Sequence, residues 1–497
     1  MYNFSNDKSE YILGEIFMKK ILCVILALVL GLSCTATAFA EGTQPENPIV
    51  IVRGMDFGGL ILDQGTDNER PAMSVSAGPI VASVFKGLFL SIFKGSEAFA
   101  DMAIEIAGGI FAPLACDENG NSIGNITVRE YPLAMSNYPE EVAMRLASAG
   151  GAEDGVVHEA MERYGAENVY YVCYDWRLDP YDTAKKIDAA VNRALADHNA
   201  EKVRIICCSL GGVMTQAYLD EYGYDKVENC IFLSSAIYGS YCSSDPYAGK
   251  VGIDVDILMT FLNDSLSDLS VLWKILKFTG LVDITADFAN NLMDDYKDKV
   301  YEELMLSTFA TWPGLWGMQQ TADFEAAKKL MFSGVEEEYA GLIAKIDKYQ
   351  QYRLQRDEFL TAMQADGVGI MLVTSYGKPH IPAFEHSYVQ SDAVLETELM
   401  SAGATVAPYG KTLGDDYVAA DPTKLSPDRV IDASTCLFPE NTWFIKGASH
   451  VCCDYGSDVA DMLFWLSEYD GQPTVKSNEK YPQFQYCDAH QSLYFFD

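Results

Sequence analysis

The chain has 497 residues, 49% of them hydrophobic and 12% aromatic, far above what a disordered chain carries, so a large core can be buried. Thirty-five basic residues face 71 acidic ones, a formal net charge of -36. Such a field repels nucleic acid and the anionic face of a membrane, which sets aside DNA and RNA as partners.

In chain order, Met18-Lys19-Lys20, the apolar run Ile21 to Leu32 and Ala38-Phe39-Ala40 read together as a secretory signal over about 18–40 with a small-residue cleavage site. The expected organisation is an N-terminal extension with signal over 1–40 and one large domain over 41–497. Cys34 offers lipid attachment as an alternative to free secretion, but Gly31 stands three places before it where a branched aliphatic is wanted. No later stretch is long and uncharged enough to span a bilayer, because Lys86 and Lys94 break the apolar segment Val81 to Ala98. The mature protein is therefore expected to be soluble or peripheral to a lipid surface. Its oligomeric state is not legible.

Ile49-Val50-Ile51-Val52 predicts a buried strand that breaks at Arg53-Gly54 into a loop. From about Ile80 to Pro113 the apolar pattern predicts helices. A second strand is expected over Asn168 to Tyr174. An amphipathic helix follows over Asp182 to His198, with Ile187, Ala190, Val191 and Ala194 on one face, and then a third strand over Val203 to Cys208. Strand, helix, strand in this order argues for a mostly parallel sheet with helices on both faces, the α/β class. A fourth strand is expected at Asn229 to Ser235. The segment 252–367 loses the alternation and reads as an inserted helical cap. Strands return at Gly369 to Ser375 and Trp443 to Ile445, before a helix from Asp458 to Tyr469.

At Ile205-Ile206-Cys207-Cys208-Ser209-Leu210-Gly211-Gly212 an apolar run ends on a serine with a glycine two places on, the pattern of a strand turning sharply into a helix. A glycine-rich loop of no catalytic importance reads the same way. A serine hydroxyl needs an imidazole to take its proton and a carboxylate to orient that imidazole. Of the six histidines, His450 lies just after the last predicted parallel strand and before the last helix, where the order serine, acid, histidine places the base. Gly414-Asp415-Asp416 offers the acid, with Asp415 first and Asp416 as substitute. For the oxyanion, the backbone N–H of Leu210 and that of Met55, just beyond Arg53-Gly54, are the expected donors. The ten cysteines beyond the signal leave disulfides open and lack zinc-site spacing, so neither metal nor other cofactor is expected.

Tyr174-Asp175-Trp176-Arg177 resembles a segment of the lecithin:cholesterol acyltransferase family, which includes related phospholipases. Ser209-Leu210-Gly211-Gly212 resembles the family's nucleophile segment, and Gly414-Asp415-Asp416-Tyr417-Val418 its acid segment. Arg53-Gly54-Met55 is similar to its oxyanion loop. Thr311-Trp312-Pro313 loosely resembles a cap segment. The chain departs from the pattern at Arg53, where proline is usual, at Cys207, where glycine is usual, and at Tyr417, where threonine is usual. The resemblance implies an α/β-hydrolase fold and a secreted hydrolase or O-acyltransferase acting on lipid esters through an acyl-enzyme on Ser209, with Tyr-Asp-Trp-Arg as structural signature. Two alternatives stand beside it: a catalytically silent surface protein that binds lipid or glycan, and a short-chain carboxylesterase.

Overall fold

A computed structural model describes residues 47–73, 96–147, 153–252, 254–265, 290–291 and 295–496. The expected signal, Cys34, the start of the helical stretch near Ile80 and the middle of the helical insertion lie outside the described residues.

The centre is an eight-stranded sheet. Its strands are β1 (Ile49–Val52), β2 (Val169–Val172), β3 (Val203–Cys208), β4 (Val227–Leu233), β5 (Gly369–Tyr376), β6 (Thr442–Lys446), β7 (Phe484–Cys487) and β8 (Leu493–Phe495). They lie in the order β8-β7-β6-β5-β4-β3-β1-β2, and every pairing is parallel except that of β7 with β8.

The aliphatic runs become strands because both faces are covered, which is the condition for a parallel sheet. Val50, Val52, Ile205 and Cys207 point into one apolar cluster, whereas Ile49, Ile51, Ile206 and Cys208 point into another. The first cluster is completed by α2 (Pro180–His198) and α3 (Gly211–Tyr222), the second by α1 (Glu153–Tyr164) and α6 (Asp458–Glu468). Asp179 caps α2 by accepting the Tyr181 N–H, with Pro180 in its first turn, and Gly223 ends α3 at φ +73°.

Between β4 and β5 the described residues form helices and no strand. Much of this insertion, α4 (Phe324–Phe332) included, has its own apolar cluster around Trp316, Phe324 and Phe332. Its last helix, α5 (Ala340–Ala365), departs from the expected cap. The Tyr349 hydroxyl donates to the Val213 carbonyl (3.3 Å) and the Tyr352 hydroxyl to Gln216 Oε1 (3.3 Å), so α5 lies on α3 and covers the sheet. Apolar spacing makes a helix in either setting; which surface it meets is a tertiary matter. The two C-terminal strands were not anticipated, since each is short and lacks a β-branched run.

Among the described residues no helix is long and apolar enough to cross a membrane. The ten described cysteines are free thiols, and all but Cys242 are buried.

Candidate active site

Ser209 is the residue immediately after β3, and its φ of +53° is the left-handed conformation that a sharp strand-to-helix turn forces on it. The turn is held by the Ser209 N–H on the Leu233 carbonyl (3.3 Å) and by the Ala236 N–H on the Ser209 carbonyl (3.0 Å). Close approach decides the next residues. A Cβ on Gly211 would sit 2.4 Å from the Arg53 carbonyl oxygen and 2.6 Å from that of Val52, and one on Gly212 would meet the Ser235 hydroxyl at 2.8 Å. Two places before the serine, Cys207 fits because its thiol lies in the core and reaches the Ile231 carbonyl at 3.4 Å.

His450 stands in the loop after β6. Its Nε2 is 2.9 Å from the Ser209 hydroxyl and its Nδ1 is 2.7 Å from Asp392 Oδ2. One tautomer satisfies both contacts: Nδ1–H donates to the carboxylate while Nε2 accepts the serine O–H. The loop is seated on α1, where Gly155 admits the Cys453 carbonyl within 1.9 Å of the place a Cβ would take. Glu159 of the same helix accepts the Gly456 N–H at 2.8 Å. The Asp454 N–H donates to Gln491 Oε1 at 2.7 Å, which ties the loop to the approach to β8.

The acid is therefore a correction. Asp415 and Asp416 are exposed in the turn that precedes Tyr417, and the structure brings neither to His450. Asp392 is fully buried in the excursion after β5. Its backbone N–H donates to the Leu395 carbonyl (3.1 Å), and its Oδ1 accepts the N–H groups of Val394 (2.9 Å) and Leu395 (2.7 Å). Those bonds fix the carboxylate and leave Oδ2 for the imidazole. The signal that could have found it is positional: Asp392 is the first aspartate after β5, on the strand-following loop where an acid belongs.

Two other histidines also sit beside buried carboxylates, His386 on Asp245 (2.9 Å) and His380 near Glu396 (3.1 Å). Among the described residues only His450 meets a serine hydroxyl as well.

The register of β1 on β3 sets Val52 beside Cys207, so Gly54 and Met55 leave the sheet next to the serine turn. Among the described residues neither the Met55 nor the Leu210 N–H donates to a protein acceptor. Both remain open to a developing oxyanion. Tyr174-Asp175-Trp176-Arg177 follows β2 alongside. Arg177, wholly buried, donates to Asp175 (2.9 Å from Nε), to the Leu114 carbonyl (2.7 Å) and to Ser122 Oγ (2.9 Å). Trp176 meets Trp312 edge-on at 5.1 Å and Phe57 at 5.0 Å, so the expected cap segment at Thr311-Trp312-Pro313 packs on this motif. Among the described residues no cluster of His, Cys, Asp and Glu is arranged to hold a metal ion.

The strand order and the serine on a sharp turn after β3 define the α/β-hydrolase architecture. No family model matches the chain, and no curated protein matches it. Among solved structures it is similar to a chain of the crystal structure of the Tle4-Tli4 complex, at 12% identity and a TM-score of 0.29, over 66% of this chain and 75% of that one. A likeness of that size carries no argument about function.

Proposed function

We propose that the protein is a serine hydrolase or O-acyltransferase acting on lipid esters, exported from the cell, and related to the lecithin:cholesterol acyltransferase family. One observation carries the chemistry: His450 bridges the Ser209 hydroxyl and the Asp392 carboxylate. In the proposed cycle Ser209 Oγ attacks the ester carbonyl carbon as its proton passes to His450 Nε2. The Met55 and Leu210 N–H groups receive the oxyanion. The carbon–oxygen bond to the alcohol then breaks, and Nε2 returns its proton to the departing alkoxide. Water or an acceptor alcohol attacks the acyl-serine in the same way, giving up its proton to Nε2, which restores it to Ser209.

The lipid assignment rests on the family resemblance at Tyr174-Asp175-Trp176-Arg177. Two apolar side chains close in sequence to the site, Phe57 two places after Met55 and Val394 two places after Asp392, are 42% and 39% exposed and available to an acyl chain. The test is labelling by a fluorophosphonate probe followed by a series of acyl esters of rising chain length. Labelling of the intact protein that vanishes in Ser209→Ala, with turnover favouring long chains, is expected. Absence of labelling favours a silent binding protein, and a preference for acetate or butyrate a short-chain esterase.

A further inference from the structure

The loop that carries Met55 is gripped from two sides, and the grip involves none of the triad. Arg53 leaves β1 with its N–H on the Val172 carbonyl at 3.3 Å, and its own carbonyl accepts the Tyr174 hydroxyl at 2.9 Å. That carbonyl is the one packed against Gly211 at the start of α3. Fixing it fixes the peptide plane through which the chain enters Gly54 and Met55. The Arg53 side chain then turns over the same loop. Its guanidinium pairs with the Asp56 carboxylate and reaches Cys173 Sγ at 3.6 Å. The Arg53 side chain is 15% exposed and that of Asp56 35%. Gly59 completes the arrangement, because a Cβ there would stand 2.5 Å from Asp56 Oδ2 and 3.2 Å from Arg53 Nη1. The two residues between Arg53 and Asp56, Gly54 and Met55, are thus held at both ends, and among the described residues no acceptor takes the Met55 N–H.

We propose that Arg53, Asp56 and Tyr174 are positioning residues that clamp the Gly54-Met55 backbone and aim the Met55 N–H at the oxyanion. The inference rests on the serine hydrolase reading and adds to it the residues that set one oxyanion donor. None of the three belongs to the triad or supplies an oxyanion donor. Their effect passes through the Met55 amide, whose strength as a donor depends on placement rather than on chemical identity.

The test measures the second-order rate of fluorophosphonate labelling, and kcat and KM on a p-nitrophenyl ester, for Arg53→Gln, Asp56→Asn, the double variant, Tyr174→Phe, Arg53→Lys and Gly59→Ala. Each of the first two is expected to slow labelling and lower kcat by about 10- to 100-fold, below the cost of deleting an oxyanion donor outright, with KM nearly unchanged. The double variant should be no slower than the worse single one, since both break one pair. Arg53→Lys should recover part of the rate. Gly59→Ala meets only the flexible ends of two side chains, so it should fold with an unchanged melting temperature and still lose rate. Multiplying effects in the double variant, a change in KM alone, or wild-type rates in Gly59→Ala would overturn the clamp while leaving the hydrolase reading intact. Wild-type protein that takes no label removes both.

Discussion

The residue that most needs testing is the acid. Asp392 is wholly buried and makes its contact with His450 at 2.7 Å, whereas Asp415 is exposed in a turn. Asp392→Asn keeps the shape of the side chain but cannot hold the imidazole in the tautomer that accepts the serine proton. It is expected to lower kcat by about 10⁴-fold, the cost of the corresponding change in a well-studied triad. Asp415→Asn should leave kcat within about twofold. Steady-state rates on one ester decide between them, and equal losses would return the acid to the Gly414 loop. Ser209 and His450 were legible because each is announced by its neighbours: a β-branched run and small residues before one, a strand and a helix around the other. Asp392 has no such escort. Its role comes from a buried turn in which Val394 and Leu395 amides hold one carboxylate oxygen, and such a turn has no periodicity to read.

At the scale of elements, the segment after β2 divides its work. Arg177 is buried with Asp175 and ties the segment to Leu114 and Ser122, while Tyr174 touches the oxyanion loop. Arg177→Ala leaves Asp175 buried without its cation, a change that costs about 3–5 kcal/mol. Denaturant unfolding should show that loss, and Tyr174→Phe should show a loss of only about 1 kcal/mol, the worth of one hydrogen bond. Similar losses in both variants would mean that the motif is structural throughout.

A second element-level device joins the ends of β5 and β6. Asp428 accepts the Tyr376 hydroxyl at 3.0 Å and the Lys446 ammonium at 2.8 Å. Burial works against its charge, but Lys446, Ser426 and Tyr376 hold its carboxyl below the ordinary aspartate value of 3.8. A depressed folded value means that this contribution to stability is complete above the unfolded value and is lost as pH falls through the folded one. The melting temperature should therefore drop on acidification below about pH 4, and part of that drop should be missing in Asp428→Asn. An identical acid profile in the variant would assign the loss elsewhere. The main strands were legible in sequence because burial on both faces demands unbroken aliphatic runs. The placement of α5 was not, because its helical pattern is the same whether it faces a cap or a sheet.

For the molecule as a whole, the excess of 36 negative charges sets a field felt beyond any single contact. It should slow the approach of an anionic ester relative to a neutral one of equal chain length. The disparity in kcat/KM should shrink as salt rises from about 0.01 M to about 0.5 M, where the screening length falls from tens of ångströms to a few. A ratio indifferent to salt would show that charges beside Ser209, rather than the overall field, govern access.

The fold also braces its histidine loop from the edge of the sheet. The loop of His450 leans on Gln491, and the Leu493 N–H binds Asp458 at the head of α6 at 3.1 Å. Both contacts come from the stretch that runs into and begins β8, the strand at the edge of the sheet. Cutting the chain before Phe484 would leave Ser209, His450 and Asp392 in place and remove that brace. Proteolytic clipping at that edge is therefore expected to slow fluorophosphonate labelling while all three side chains remain in the chain.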